Sequence, residues 1–418
     1  MARGLGERSA AVRIIEILRG SGHTAYLAGG CVRDELFGVE PSDYDVATSA
    51  RPDDIEGVFL RTASVGASFG VMLVRDFGPT VEVATFRADG PYSDARRPDH
   101  VEFSSPERDA ERRDFTINAL FLDPGAAGED RVIDFVGGRA DIEHRVLRAV
   151  GDPDARLEED HLRALRAVRF AARYGLTIDD ATARAIRTHA SELSGVSVER
   201  IGAEVRRMMA HASRANAARL VHELGLEDAI FGAELGAHPL RTIESLDERA
   251  DAMTALAAWA CDRIGASALD ERHARGSGWP AALNLSNEDA DAFARTLGFA
   301  GTVIDAWADL PIARRKRLAA SARAEQGALL ARALRPDAAE AYERDTAGLT
   351  RDGIGLAPGA LLTGDDLVAH GFEPGPAFGR VIDAVYDAQL EGRVATRDDA
   401  IALARTMLET DTPSERSR

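Results

Sequence analysis

Two carboxylates stand two residues apart in Pro41-Ser42-Asp43-Tyr44-Asp45-Val46-Ala47-Thr48. Tyr44, Val46 and Thr48 favour a strand, and a strand would point Asp43 and Asp45 to one face. Neighbouring like charges repel unless a cation sits between them. Carboxylate oxygens suit Mg²⁺, which takes one or two carboxylates and completes its shell with water and phosphates. An isolated pair of this kind is equally a pair of solvated acids, so the surrounding chemistry decides.

About a dozen residues upstream, Gly29-Gly30 precedes Cys31-Val32-Arg33-Asp34-Glu35-Leu36. A glycine turn opening a helix bares backbone N–H groups to an anion, and Arg33 one turn in can add a charge-assisted contact. Alone it is an ordinary turn; beside a metal-binding pair it fits a nucleoside triphosphate. Downstream, Arg112-Arg113-Asp114-Phe115-Thr116-Ile117-Asn118 offers Arg113 to a triphosphate or sugar. Asp114 and Asn118 suit capping or orienting roles. Asp134-Phe135-Val136-Gly137-Gly138-Arg139-Ala140-Asp141 reads as a structural joint.

The richest segment is Glu158-Glu159-Asp160-His161-Leu162-Arg163-Ala164-Leu165-Arg166-Ala167-Val168-Arg169-Phe170. As one helix over 158–174 it clusters Leu162, Leu165, Val168 and Ala172, with Asp160 and Arg163 adjacent and off that stripe. An intrahelical ion pair is one reading of Asp160 and Arg163, and His161 reads as a polar helix residue. The other reading is chemical. Cytosine and adenine each set an exocyclic amino donor beside a ring-nitrogen acceptor, matching a carboxylate beside a guanidinium. Uracil and guanine reverse the pattern, and each mismatched buried polar group costs roughly 1–3 kcal/mol. Such a site selects C and A with no nucleic-acid template.

The elements that must position these residues divide in two. Residues 7–20 have helical period, followed by a strand at Ala25–Ala28, a helix near Pro52–Leu60, and strands near 62–65, 71–75 and 80–86. This mixed α and β character lasts to about residue 150. Residues 87–112 are polar, marked by glycine and proline, and read as a long loop. Beyond Pro153 helical segments take over, at 158–174, 179–190, 197–210, 213–224, 287–297 and 376–390. Gly276–Gly278 and Leu356–Gly359 look like connections, the tail from Glu409 looks frayed, and no internal repeat is visible.

The 418 residues, 45% apolar and 29% charged, are enough for several globular domains. A net charge of −18 excludes a generally basic nucleic-acid binder, so RNA contact would need a local basic surface. Arginine abundance carries little weight by itself, since Lys316 is the only lysine. Cys31 and Cys261 make neither a disulfide framework nor a zinc cluster. The N-terminus lacks an apolar signal core, and the best apolar run, Ala252–Cys261, is about half a membrane span. A cytoplasmic protein without a membrane partner is the expectation.

Taken in order, GG-x-VRD at Gly29–Asp34, D-x-D at Asp43/Asp45, RRDFTINAL at Arg112–Leu120, D-x-x-GG-x-x-D at Asp134–Asp141 and ED-x-x-R-x-x-R-x-x-RF at Glu159–Phe170 resemble the class II CCA-adding enzymes, tRNA nucleotidyltransferases of the poly(A) polymerase family. A further family element is recognisable at Ser197-Val198-Glu199-Arg200-Ile201. The C-terminal Thr363–Leu367, Pro374–Gly379 and Gln389–Gly392 also resemble such enzymes.

The resemblance implies an α+β fold, a polymerase-beta-like nucleotidyltransferase head over 1–150, followed by an all-helical neck over 151–230, body over 231–345 and tail over 346–418. The active site would lie between head and neck. Asp43 and Asp45 would hold Mg²⁺ in a two-metal, in-line transfer from CTP or ATP to the tRNA 3′-hydroxyl, releasing pyrophosphate. Glu82 is a candidate third carboxylate. Gly29, Gly30, Arg33 and Arg113 carry over as nucleotide contacts, Asp160 and Arg163 as the base-reading pair. Arg166 and Arg169 carry over as further nucleotide contacts, although Arg169 falls about 180° from Asp160 on a single helix.

The loop at 87–112 resembles the family's flexible loop, associated with adding the terminal A, which argues against an enzyme adding only C. Body and tail would hold the tRNA elbow by shape and phosphates. The alternatives are an A-adding or CC-adding partial enzyme, a bacterial poly(A) polymerase and a catalytically dead RNA-binding homologue. Against the polymerase, Val65-Gly66-Ala67-Ser68-Phe69-Gly70 lacks that group's basic pair and no arginine-rich extension follows. Against the dead homologue stand the intact acids and arginines. A His-Asp phosphohydrolase signature is absent, and the oligomeric state is not legible.

Overall fold

A computed structural model describes residues 5–66, 70–90, 100–232, 235, 239–351 and 353–411. Ala67–Phe69 and 91–99, both used in the expectations above, therefore lie outside the described residues, as does the tail beyond 411. Two compact units emerge, one of residues 1–235 with 281–284, the other of 236–280 with 285–418.

The first unit is built on a seven-stranded sheet. Its strands are β1 (Ala25–Ala28), β2 (Asp45–Thr48), β3 (Thr62–Gly66), β4 (Val71–Val74), β5 (Val81–Thr85), β8 (Phe121–Leu122) and β9 (Val132–Ile133). They lie in the order β3-β4-β5-β2-β1-β8-β9, antiparallel except for β2 and β5. Helix α1 (Glu7–Gly20) buries Ala10, Ala11, Ile14, Ile15 and Leu18, the helical-period stripe of its sequence. Each buried aliphatic side chain contributes roughly 1.5–3 kcal/mol. Helices α2 (Gly30–Leu36) and α3 (Pro52–Val58) follow β1 and β2. Phe86 and Phe121 meet edge to face, 5.8 Å apart, within a core that includes Ala28, Ala47 and Val150.

Three expectations change here. Strand β2 begins at Asp45, so Asp43 precedes the pleat instead of sharing it. The stretch 87–112 is not loop throughout: β6 (Arg87–Asp89) pairs antiparallel with β7 (Val101–Phe103), and α4 (Pro106–Glu111) follows, capped by Ser105. The helix expected over 158–174 is two, α6 (Pro153–Glu159) and α7 (Arg163–Tyr174), with Asp160 extended between them at φ −161° and ψ 101°. The Asp160 carboxylate accepts from the N–H of Leu162 at 3.1 Å and so starts the second helix.

The joint expected at Asp134–Asp141 forms as a cap. The Asp134 carboxylate accepts from the N–H groups of Val136, Gly137, Gly138 and Arg139, opening α5 (Gly138–Glu143). Gly138 cannot carry a side chain, because a Cβ there would stand 2.1 Å from the carbonyl oxygen of Thr116. A short parallel pair, β10 (Val146–Leu147) with β11 (Thr177–Ile178), leads to α8 (Asp180–Thr188), α9 (Val198–Met209), α10 (Arg214–Glu223) and α11 (Glu227–Phe231).

The second unit is helical, its longer helices spanning Ala252–Ile264, Asn287–Asp305, Ala324–Leu334, Pro336–Arg351, Ala377–Leu390 and Arg397–Asp411. Trp259 and Trp279 pack edge to face, and Arg323 joins Asp251, Thr254 and Thr296. Leu367, Val381, Val385, Ala400 and Ala404 form a separate small core near its C-terminal end. No described helix is long and apolar enough to cross a membrane.

One buried ion pair ties α7 to the segment after α4. Arg166 Nε donates to Asp114 Oδ2 at 2.8 Å, while Asp114 Oδ1 accepts from the Asn118 amide and the Phe115 N–H. Burial alone would raise the Asp114 pKa, but the Arg166 guanidinium and the Asn118 amide hold it down to about 2. A carboxyl depressed below its unfolded value of about 3.9 stabilises the fold above that pH, and the gain is lost as pH falls towards 2. Asp114→Asn should therefore flatten the acid limb of stability between about pH 4 and pH 2. It should also cost roughly 1–3 kcal/mol at neutral pH by removing the Arg166 acceptor. Urea unfolding midpoints across pH check both.

Candidate active site

Strand β1 delivers the chain to Gly29, whose φ of +72° only glycine adopts without strain. A Cβ there would also stand 2.6 Å from an Arg113 nitrogen. Without it, Arg113 lies over the turn and donates to the carbonyl of Asn118 at 3.1 Å. Gly29, Gly30 and Arg33 line a cleft of about 880 Å³.

Strands β2 and β5 run parallel with Val46 beside Val83, and Asp45 and Glu82 sit one step earlier on each. Both line the cleft. Burial raises the Asp45 pKa, the charges of Glu82 and Asp43 raise it further, and Arg113 offsets part of this, leaving Asp45 at about 7. Oxygen donors that repel one another this strongly suit a hard divalent cation, whose charge removes the penalty. Asp43 does not itself line the cleft; its charge reaches Asp45 from the segment just before β2.

The far side of the cleft carries Asp160, Arg163 and Arg166. Asp160 and Arg163 do not pair with each other. Asp160 Oδ2 accepts from Arg200 on α9 at 2.6 Å, while Arg163 donates to Glu159 and to the carbonyl of Arg156. Helix unwinding at Asp160 is the reason: the two residues no longer share one helical face.

Arg33 is held on several sides. It donates to Asp34 at 2.7 Å and to Asn118 Oδ1 at 2.6 Å, and its guanidinium lies 4.8 Å from the ring centres of both Phe170 and Tyr174. The Tyr174 hydroxyl donates to the same Asp34 oxygen at 2.6 Å.

Arg169 is not in the cleft. Its Nε donates to Glu204 of α9 at 2.6 Å, its guanidinium covers the Phe170 ring at 4.3 Å, and burial lowers its pKa. The expectation of a nucleotide contact there gives way to a packing role, because the residue faces α9.

Sequence reasoning missed four cleft residues, Arg87, Asp89, Arg112 and Arg200. It also missed buried Asp109, which accepts from Arg112 at 2.7 Å and from Arg113 at 3.0 Å. Arg200 stood within the recognised Ser197–Ile201 element, but its partner lies 40 residues away, beyond any helical or strand period.

Residues 25–148 match the poly A polymerase head domain, and residues 175–234 match the probable RNA and SrmB-binding site of polymerase A. The CCA-adding enzyme of Geobacillus thermodenitrificans is 43% identical over 228 residues, 54% of this chain and 55% of that one. The CCA-adding enzyme of Bacillus subtilis is 44% identical over 200 residues, 48% of this chain and 49% of that one. The chain thus spans about half the length of the curated relatives it matches. Among solved structures, the Bacillus stearothermophilus CCA-adding enzyme in complex with CTP superposes with a TM-score of 0.71 at 27% identity, covering 97% of this chain and 100% of that one. The Thermotoga maritima CCA-adding enzyme complexed with tRNA shares the fold, with a TM-score of 0.68 at 16% identity, covering 97% of each chain. Residues 25–148 are thus similar to the poly(A) polymerase head and residues 175–234 to the RNA-binding segment that follows it in such enzymes, in keeping with the resemblance to class II CCA-adding enzymes.

Proposed function

We propose that this chain adds CCA to the 3′ end of tRNA from CTP and ATP, without a nucleic-acid template, releasing pyrophosphate. The observation that carries the proposal is the sharing of one cleft by the Asp45–Glu82 carboxylates and by Asp160 with Arg163. The first set suits phosphate chemistry; the second suits choosing a base.

In this reading Asp45 and Asp43, with Glu82 as a third carboxylate, would hold Mg²⁺. The metal would supply charge for the attacking 3′-oxygen and the leaving pyrophosphate. Gly29, Gly30, Arg33 and Arg113 line the same space and would take the triphosphate, with Arg166 beside them. Their carboxylate and amide partners fix them before substrate arrives, which limits the ordering cost of binding. Asp160 would accept from the exocyclic amino group of C or A, and Arg163 would donate to the ring nitrogen. The hydrogen bond from Arg200 fixes the direction of the Asp160 carboxylate. The neck over 151–230 would read the base, and the body and tail would hold the tRNA. The cytoplasm is where tRNA and both triphosphates would be met.

Length analysis on a gel tests this directly. tRNAs ending before CCA, after C and after CC should each be completed when CTP and ATP are supplied together; CTP alone should add C only up to CC, and ATP alone should extend only the tRNA that already ends in CC. Asp45→Asn should lose at least about a hundredfold in rate. Long A tracts on unrelated RNA would favour a poly(A) polymerase, and extension by C alone or A alone a partial enzyme.

The carboxylate cluster makes a second prediction. In chelator, Asp45→Asn should raise the melting temperature by roughly 2–6 °C, because it removes a buried like charge. Added Mg²⁺ or Mn²⁺ should stabilise the wild type and leave the variant unmoved. Scanning calorimetry of both proteins reads the outcome; a metal response kept by Asp45→Asn would place the ion elsewhere.

A further inference from the structure

Outside the cleft, four titratable side chains meet around the corner between α6 and α7. They are Asp154 on α6, His161 in the corner itself, His189 at the end of α8 and Glu192 in the following turn. One ligand atom each from His161, His189 and Glu192 lies within 4.8 Å of the others. His189 Nδ1 stands 2.7 Å from Glu192 Oε2, and His161 Nδ1 stands 3.4 Å from the same oxygen. The other nitrogen of His189, Nε2, faces Asp154 Oδ1 at 3.1 Å.

A proton shared between His189 and Glu192 satisfies those two groups. It does not satisfy His161, whose Nδ1 is buried and has no hydrogen-bond partner. A metal ion does. Nitrogen–metal and oxygen–metal bonds of about 2.0–2.2 Å set tetrahedral ligand atoms roughly 3.4 Å apart; His161 Nδ1 already stands 3.4 Å from Glu192 Oε2, and the 2.7 Å contact of His189 would open slightly to admit the ion. Asp154 on the far nitrogen of His189 is the outer carboxylate that characteristically orients a ligating imidazole. Both histidine side chains are largely buried, at 17% and 12% exposure, while Glu192 is about half exposed and leaves the ion a way in. Two imidazoles with one carboxylate favour a late first-row divalent ion over Mg²⁺.

We propose that His161, His189 and Glu192 form a binding site for Zn²⁺ or a related transition metal, with Asp154 orienting His189. The ion joins the α6–α7 corner to the end of α8 and stiffens the turn next to Asp160. The site is separate from the carboxylate cleft, and its existence does not depend on the function proposed for that cleft.

The test uses the full-length protein, stripped by chelator and held in excess Mg²⁺ so that oxygen-ligand sites are filled. Co²⁺ is titrated while its visible absorption is followed. The expected result is uptake of one equivalent with the bands of four-coordinate cobalt, bleached on adding Zn²⁺. His161→Gln, His189→Gln and Glu192→Gln should each weaken uptake about tenfold or more, and Asp154→Asn about tenfold. His222→Gln, at an imidazole paired instead with Glu227, should leave uptake unchanged. The proposal fails if the wild type takes up no Co²⁺ in Mg²⁺, the outcome for a proton-sharing network alone. It also fails if uptake persists unweakened in both histidine variants.

Discussion

Every arginine lining the cleft is gripped by a carboxylate. Arg33 is held by Asp34, Arg87 by Asp89, Arg112 and Arg113 by Asp109, Arg163 by Glu159, Arg166 by Asp114 and Arg200 by Asp160. This lattice shows how a chain with net charge −18 can still concentrate guanidinium groups around one cleft. Local guanidinium density, not overall charge, meets an anion. The partners also fix each arginine in place. A charge-assisted hydrogen bond of this kind contributes roughly 1.5–3 kcal/mol, and removing its acceptor costs about 1–3 kcal/mol. The lattice therefore stays formed, and substrate oxygens must bind to donors left over from it.

The same lattice connects phosphate chemistry to base choice. Asn118 accepts from Arg33 through its side-chain oxygen and donates to Asp114, which holds Arg166 on α7. Arg113 reaches the carbonyl of the same Asn118 and takes its charge partner from Asp109. A shift in α7 is thus felt at the Gly29 turn through three side chains. Within this frame the carboxylates on β2 and β5 account for why a nucleotide would be transferred, and the corner at Asp160 for which nucleotide.

Much of this was legible in the sequence, for local reasons. Glycines at 29 and 30 announced the turn, the alternation of Val81–Thr85 announced the strand that bears Glu82, and the helical period placed α1 and α8–α10. The break at Asp160 was not legible. Neither glycine nor proline marks it. At the break the Asp160 carboxylate accepts from the N–H of Leu162, just ahead of α7, and from Arg200 on a different helix. Treating 158–174 as one helix joined Asp160 to Arg163 by periodicity, whereas Asp160 takes a partner 40 residues away and Arg163 turns back to Glu159 and Arg156. The projection did place Arg169 apart from them, and Glu204 shows what it faces instead. Asp109 sits at i,i+3 and i,i+4 spacing from Arg112 and Arg113, a local signal that was overlooked, whereas Arg200 has meaning only through a partner that chain folding brings near.

The central claim is that Asp160 and Arg163, not a template, select the base. The most direct measurement is incorporation of each of the four nucleoside triphosphates, offered singly, onto a tRNA lacking CCA, by the wild type and by Asp160→Ala and Arg163→Ala. The wild type should take up only C on this tRNA, and only A when the tRNA offered already ends in CC. In both variants the account predicts slower transfer with measurable entry of U or G. Variants that lose rate yet keep strict choice of C and A would contradict it.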